Sequence, residues 1–397
     1  MFMFEKAVSG GRNYWLWLLG LFAVIGAGFL CYLRQLSVGL AITGLSRDVS
    51  WGLYIAQFTF LVGVAASAVM VVLPYYLHNF KAFAKITILG EFLAIAAVVM
   101  CMLFIFVDMG QPTRVFNVLL YPTPHSIMFW DMISLGGYLL LNAVIALVTL
   151  TAERNGAKPP AWIKPVIILS IPWAISIHTV TAFLYSGLPG RPLWLTAILA
   201  PRFLASAFSS GPALLILLCM VVARLTKVPT PREPVQKLAL IVTYAMCINV
   251  FLVLMEFFTA FYSGIPEHTE PFRYMLAGLE GRAGLTPWMW TSWILAVVSL
   301  VLLIRPRYRA DHRLLAAACA MVFLSLWIDK GIGLIVAGFV PSPLGAVTEY
   351  APTVPEMLIS LAIWAIGVLI LTVFYKIALS VREQPFFSTA EPAGGHP

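Results

Sequence analysis

Charged residues are scarce in this chain. Asp, Glu, Lys and Arg make up 11% of the 397 residues, whereas hydrophobic residues make up 61% and the mean hydropathy is +0.93. A soluble globular domain carries roughly 25% charged residues, so this composition excludes an ordinary water-soluble protein. The formal net charge of +8 comes from short basic clusters between apolar runs. Because that pattern is typical of membrane topology signals, it argues against a nucleic-acid partner.

Residues that ligate cofactors are also scarce. No two of the five cysteines have the spacing of a metal or redox pair. An iron–sulfur cluster needs several cysteine thiolates, and a b-type haem between helices usually takes two facing histidines. Only His178 lies deep inside an apolar run. We therefore expect no haem, no iron–sulfur cluster and no bound metal in this chain.

Long apolar runs are abundant, and they predict an all-α integral membrane protein. A helix of about 20 apolar residues spans the hydrocarbon core of a bilayer, and about ten runs reach that length. The N-terminus lacks a small-residue cleavage site, so the first run is expected to be a retained span. The predicted spans lie near residues 15–36, 51–74, 86–107, 126–150, 163–186, 195–223, 238–262, 286–304, 313–340 and 354–378.

The distribution of basic residues predicts the orientation of these spans. The termini and the even-numbered loops carry 17 of the 25 Lys and Arg residues. By the positive-inside rule both termini are cytoplasmic and the odd-numbered loops face outward, into the periplasm of a Gram-negative host. We expect a multi-pass domain over residues 1–382 in a bacterial or archaeal cytoplasmic membrane. The Pro- and Gly-rich segment 383–397 is expected to be a disordered cytoplasmic tail.

Four odd-numbered spans end in similar short sequence motifs, in which glycine is followed closely by proline. Such a pair stops a helix, because glycine adopts the left-handed conformation and proline prevents continuation. The recurrence also hints at duplicated helical bundles with a site between the repeats. The four motifs are DMGQPTR (108–114), YSGLPGR (185–191), YSGIP (262–266) and AGFVPSP (337–343).

Eight ionisable residues lie in or beside the predicted spans, and six of them lie toward the outer half. Such residues are costly in a membrane and are candidates for function. They also admit a structural interpretation, in which Asp329–Lys330 or Glu256–Arg202 are buried ion pairs without chemistry. A histidine beside carboxylates exchanges protons near neutral pH, which suits a quinone site. The eight residues are Glu91, Asp108, Asp131, His178, Arg202, Glu256, Asp329 and Lys330.

Three stretches resemble the NrfD/PsrC-type family of quinone-interacting membrane subunits. They are DMGQPTRVFNVLLYPTPHSIMFWD (108–131), IPWAISIHTVTAFLYSGLPGRPLWLTAILAPRFLASAFSSGPALL (171–215) and MEFFTAFYSG (255–264). The resemblance covers nearly the whole chain and implies two four-helix bundles plus two further helices. Within the family, the second stretch and WIDKGIGLIVAGFVPSPLG (327–345) are most similar to the DsrP subunits of DsrMKJOP sulfur-metabolism complexes.

The resemblance also implies a cofactor, partners and site residues. Members bind menaquinone or ubiquinone and exchange electrons with a periplasmic ferredoxin-like iron–sulfur subunit, here DsrO-like. A DsrJ-like multihaem cytochrome c and DsrM- and DsrK-like subunits would complete the complex, and the chain would not be catalytic alone. His178 and Glu256 are the expected proton-exchanging residues. The expected quinone-site residues are Asp108, Arg114, His178, Arg191, Arg202 and Glu256. The expected proton-path residues are Glu91, Asp131, Asp329 and Lys330.

Two other functions remain open from the residues alone. Intramembrane carboxylates and Gly/Pro interruptions also suit a secondary transporter or a proton channel, whose sites lie near the bilayer midplane. A passive anchor for a periplasmic complex would make the buried charges purely structural. The position of the charges across the membrane separates the first of these functions from a quinone site.

Overall fold

Ten long helices form the framework of the part of the chain that the structure describes. The structure is a computed structural model that describes residues 9–76, 80–226 and 231–382, so His78, Lys227 and the predicted tail 383–397 lie outside the described residues. The all-α class and the ten spans are confirmed. The helices are α1 Arg12–Val38, α2 Leu53–Ala65 continued by Val69–Tyr76, α3 Ala84–Asp108, α4 Ile127–Arg154, α5 Ile163–Ser186, α6 Leu199–Leu225, α7 Arg232–Ser263, α8 Thr286–Ile304, α9 His312–Ala337 and α10 Val354–Arg382.

The helices run alternately between two faces. We call the face at which α1 begins and α10 ends the terminal face. The opposite face, the loop face, carries the connections 39–52, 109–126, 187–198, 264–285 and 338–353. A short helix in the fourth of these connections, Pro266–Ala277, is called the loop helix.

Eight of the helices form two four-helix bundles. In bundle one, α2 packs on α3, α3 on α4, α4 on α5, and α5 returns to α2. Bundle two repeats this order with α6, α7, α8 and α9. Contacts of α2 with α6 and α9, and of α5 with α6, join the two bundles. The remaining helices, α1 and α10, pack on each other, and α10 packs on α3. The arrangement of two bundles plus two further helices is therefore as predicted.

Burial differs sharply between the centre and the edge of this array. Every residue of Leu53–Ala65 in α2 is buried, whereas α1 has four buried residues among its 27. A helix that is apolar all round suits both positions, because lipid and protein interior are both apolar solvents. At the centre, small residues allow α6 and α2 to approach closely. A methyl group on Gly211 of α6 would lie 3.1 Å from the backbone nitrogen of Ser67. The helix of α2 is interrupted at that point.

The observed end of a helix differs from the predicted end of its span where polar residues extend the helix. Helix α7 begins at Arg232, six residues before its apolar run, because the polar turns REPVQK are helical as well. Residues 195–198, which belong to the predicted sixth span, lie in the connection before α6 instead. Hydropathy locates the membrane-crossing part of a helix, and it does not detect where a polar end stops.

Candidate functional site

Three ionisable side chains from three helices of bundle two meet in one buried cluster. Arg202 of α6 donates through Nη1 to Oε2 of Glu256 on α7. Through Nη2 it donates to both carboxylate oxygens of Asp329 on α9, at 2.9 and 2.8 Å. All three residues are buried, with at most 9% of their surface exposed. We call this cluster the ion triad.

The geometry of the ion triad explains how its charges are tolerated in an apolar interior. A guanidinium group presents a planar fork of donors, which allows one arginine to hold two carboxylates. Removal of one partner from such a cluster would leave an uncompensated buried charge, which is strongly destabilising. Among the described residues, both ion pairs of the chain belong to the ion triad. The predicted alternative pair Glu256–Arg202 is therefore formed.

The other suggested pair, Asp329–Lys330, is not formed in this part of the structure. The two residues lie in a π-helical segment of α9, Trp327–Gly333, and their side chains diverge. While Asp329 holds Arg202, Nζ of Lys330 lies 4.2 Å from the ring centre of Phe203. Nζ of Lys330 also lies beside α2, because a Cβ atom added to Gly63 of α2 would be 3.2 Å from it. Nζ has no hydrogen-bond partner among the described residues. π-Helical turns occur frequently at functional sites.

A groove on the loop face leads to the ion triad. Its volume, with the open solvent at its mouth included, is about 600 Å³, and it lies between the 187–198 connection, the last turns of α7 and the loop helix. Its walls are mostly apolar, and its polar lining includes Glu256, Thr259, Ser263 and His268. A second, much narrower cavity, with room for about one water molecule, is lined by Glu256, Asp329 and Trp293. Glu256 therefore lines both the groove and this cavity.

Two buried polar atoms at these cavities have no partner among the described residues. They are Oε1 of Glu256 and Nε1 of the Trp293 indole. Buried polar groups are usually hydrogen-bonded, so an unpartnered acceptor and donor on one cavity system indicate room for a ligand or for water. Arg202 holds the other oxygen of Glu256, which fixes the orientation of the carboxylate.

The predicted residues of bundle one form a separate polar layer. His178 of α5 is fully buried, and neither ring nitrogen has a hydrogen-bond partner among the described residues. One turn further along α5, Thr181 donates to Oδ1 of Asp131 on α4 at 2.7 Å. The charge of Lys330 acts on His178 across the bundle interface. His178 does not line the groove, so the structure does not bring the two expected proton-exchanging residues together.

Asp108 lies at the end of α3 on the opposite side of bundle one. Its Oδ1 is buried without a partner among the described residues, and the carbonyl oxygen of the preceding residue, Val107, accepts from Gln35 of α1 at 2.6 Å. The hydroxyl of Tyr54 donates to Gln35 of α1 at 2.8 Å. Asp108 is thus part of the α1–α2–α3 contact rather than of the ion triad.

The other predicted residues lie apart from both layers. Arg191 stacks on the ring of Phe339 at 4.2 Å and donates to the Asp48 carbonyl oxygen at 3.4 Å. Partial burial lowers the pKa of Arg191, and the charge of Asp48 opposes that shift. Arg114 is exposed on the 109–126 connection. Glu91 is buried in α3, 17 residues before the helix ends at Asp108, which is about 26 Å along the axis.

Sequence reasoning missed one buried carboxylate. Glu356 of α10 is fully buried and accepts from the backbone nitrogens of Gly44 at 3.0 Å and Leu53 at 3.3 Å, and from the Tyr350 hydroxyl. The signal for it was present, because Thr353 and Glu356 have the Thr-x-x-Glu spacing of a capping box. The reciprocal bonds of that box are both 3.4 Å. Glu356 thereby ties the start of α10 to the start of α2.

Comparison with known proteins relates the chain to membrane subunits of redox complexes. A putative dimethyl sulfoxide reductase membrane subunit of Halobacterium salinarum is 26% identical, with 97% of this chain and 95% of that protein covered. The Hdr-like menaquinol oxidoreductase integral membrane subunit of Archaeoglobus fulgidus is 24% identical, with 96% and 97% covered. The menaquinone reductase integral membrane subunit of Nitratidesulfovibrio vulgaris is 22% identical, with 92% and 91% covered.

These relatives match along nearly their whole length, so the likeness concerns the complete helical framework. A family match covers residues 41–340, from the connection before α2 to the end of α9. That range contains both four-helix bundles, the ion triad and the groove. The chain belongs to the polysulphide reductase NrfD family.

Proposed function

We propose that this protein is the quinone-interacting membrane subunit of a multi-subunit oxidoreductase. The observation that carries the proposal is a mostly apolar groove lined by Glu256, a buried carboxylate with one oxygen held by Arg202 and the other without a partner among the described residues. Two of the relatives are named after menaquinol and menaquinone, which favours menaquinone over ubiquinone as the ligand.

The residues of the groove fit a quinone. Leu193, Leu195 and Ile198 form one apolar wall, and Ile265 and Phe272 lie on the other side, so that a ring and the start of an isoprenoid tail meet mostly carbon. A bound quinone supplies two-electron, two-proton redox chemistry. The free oxygen of Glu256 accepts or returns a proton, while Arg202, itself held by Asp329, keeps that carboxylate in one orientation.

The partner of such a subunit accepts or supplies the electrons. We infer that the loop face is the outer face, because the basic residues concentrate at the other one, and that a ferredoxin-like iron–sulfur subunit docks there. On the sequence likeness, the complex is of the DsrMKJOP type, with DsrO-, DsrJ-, DsrM- and DsrK-like partners. Proton translocation through Glu91, Asp131, Asp329 and Lys330 is a further element of this proposal.

The depth of the ion triad favours a quinone site over a transporter. Arg202 lies three residues from the loop-face end of α6, Glu256 seven from that of α7 and Asp329 eight from that of α9. At 1.5 Å per residue these depths are about 5, 10 and 12 Å. The midplane of a 30 Å core lies about 15 Å from either face.

Two variants of the purified complex test the proposal. Glu256→Gln keeps the shape of the side chain and removes the proton acceptor, so quinol-dependent electron transfer should fall by roughly 100-fold or more. Glu267→Gln, on the exposed start of the loop helix, is the matched control and should keep the wild-type rate. His178→Ala tests the second expected proton-exchanging residue, and an unchanged rate would remove His178 from that role.

Quinone binding is measured separately from turnover. Organic extracts of the complex are analysed for co-purified menaquinone, and a fluorescent quinol analogue, 2-heptyl-4-hydroxyquinoline N-oxide, is titrated against it. Stoichiometric quinone and saturable quenching are expected. The proposal fails if the wild-type complex binds neither molecule, or if Glu256→Gln retains the full rate of quinol oxidation.

A further inference from the structure

A polar stripe on α7 joins the buried carboxylate to the rim of the groove. Glu256, Thr259 and Ser263 are spaced by three and four residues, which places them on one face of a helix. All three line the groove, and so does His268 in the first turn of the loop helix. From Glu256 to Ser263 the stripe covers seven residues, or about 10 Å.

The two hydroxyl groups of the stripe are oriented to accept hydrogen bonds from the groove. Thr259 donates to the Met255 carbonyl oxygen at 2.8 Å, and Ser263 donates to that of Ala260 at 3.0 Å. Each hydroxyl oxygen keeps lone pairs as acceptors after its own proton is engaged. Thr259 and Ser263 are exposed whereas Glu256 is buried, so the stripe joins the open part of the groove to the buried carboxylate.

Only two of the residues that line the groove are titratable, Glu256 at the inner end and His268 at the outer end. The other ionisable residues of the loop helix, Glu267, Glu270 and Arg273, do not line it. A half-buried histidine at the mouth of a groove is suited to passing protons to bulk water, because its imidazole ring carries both a proton donor and a proton acceptor.

We propose that His268 is the exit residue for protons, receiving them from Glu256 along the Thr259–Ser263 stripe and releasing them at the loop face. This inference rests on the proposed function, and it assigns a second proton-exchanging residue to the same groove. When one quinol is oxidised, two electrons pass to the iron–sulfur partner and two protons leave the hydroxyl groups. Each proton binds Glu256 Oε1, moves through groove water to the imidazole of His268 and then to bulk water. Reduction of a quinone uses the same residues in reverse.

Chemical rescue distinguishes this role from packing. In the complete complex, His268→Ala should lower quinol-dependent electron transfer by roughly 100-fold, the lower end of the range for loss of a proton-transfer group. Added imidazole should restore much of the rate, because it is a proton acceptor with the size and chemistry of the side chain that the substitution removes. A residue that only packs against Phe272 or Ile265 would not be replaced in this way. The matched control is His312→Ala, an exposed histidine on the terminal face, for which no loss and no imidazole effect are expected.

A binding measurement separates failure of this inference from failure of the proposed function. Titration with 2-heptyl-4-hydroxyquinoline N-oxide should give the wild-type affinity in His268→Ala, because the exit residue acts after binding. If the wild-type complex binds no analogue, the proposed function fails and the role of His268 fails with it. If binding and the Glu256→Gln loss are both observed, full activity in His268→Ala overturns the inference alone. The inference is also overturned by a loss that imidazole does not restore, or by lost analogue binding in His268→Ala.

Discussion

Replacement of Arg202 by methionine should be among the most destabilising single changes in the chain. The substitution removes one hydrogen bond to Glu256 and two to Asp329, and it leaves two carboxylates facing each other in a buried site. Breaking a buried ion pair by removing one partner costs about 3–5 kcal/mol. Hydrogen bonds between helices in a membrane average about 0.6 kcal/mol each, so three of them set a lower bound of about 2 kcal/mol. We therefore expect the free energy of unfolding to fall by about 2–5 kcal/mol.

The assay is reversible unfolding in bicelles or mixed detergent micelles, with the free energy of unfolding extrapolated to native conditions. Arg273→Met, an exposed arginine of the loop helix, is the control and should change stability by less than about 0.5 kcal/mol. Adding Glu256→Gln and Asp329→Asn to Arg202→Met should recover most of the loss, because no uncompensated charge remains. A cost for Arg202→Met below about 1 kcal/mol, or no recovery in the triple variant, would refute the ion triad as described.

Three further predictions concern the framework. Gly28→Leu should destabilise the α1–α10 contact by about 1–3 kcal/mol, because a methyl group there would lie 2.6 Å from the Leu358 carbonyl oxygen; Gly26→Leu, in open space, should melt like the wild type. Glu356→Ala should cost about 2 kcal/mol or more in the same unfolding assay, since it removes a charged acceptor from two helix starts. Backbone N–H groups at the start of α9 lower the pKa of Asp311, so its stabilisation is present above the unfolded-state pKa and is lost as the pH falls through the lowered value. Asp311→Ala should thus lower the melting temperature at neutral pH and make little difference in strong acid.

Most of the framework could be predicted from the sequence, because each membrane span consists of a long apolar run. Ten such runs predicted ten helices, because the length of an apolar run predicts a span without any information about packing. The packing partners required the family resemblance, since an apolar helix surface does not encode whether lipid or another helix covers it. The polar first turns of α7 were missed because hydropathy detects only the apolar part of a helix.

The candidate site could be predicted only in part. Arg202 and Glu256 were identifiable as buried charges, but the partner of Asp329 depended on the π-helical segment, which turns Lys330 toward Phe203. No local pattern reveals that geometry. His268 lies outside the predicted spans, and its position at the groove could not be predicted because it depends on how the loop helix folds back over α7. Glu356 is different, since its capping-box spacing with Thr353 is readable from the sequence.

The central claim is that a quinone binds in the groove next to Glu256. Its most direct test is photo-crosslinking of the purified complex with an azido-quinone, followed by mass spectrometry of the modified peptides. The account predicts labels on the 187–198 connection, on the end of α7 around Glu256 to Ser263, and on the loop helix, with labelling suppressed by excess menaquinone. Labels confined to bundle one near His178, or labelling that excess menaquinone does not reduce, would contradict it.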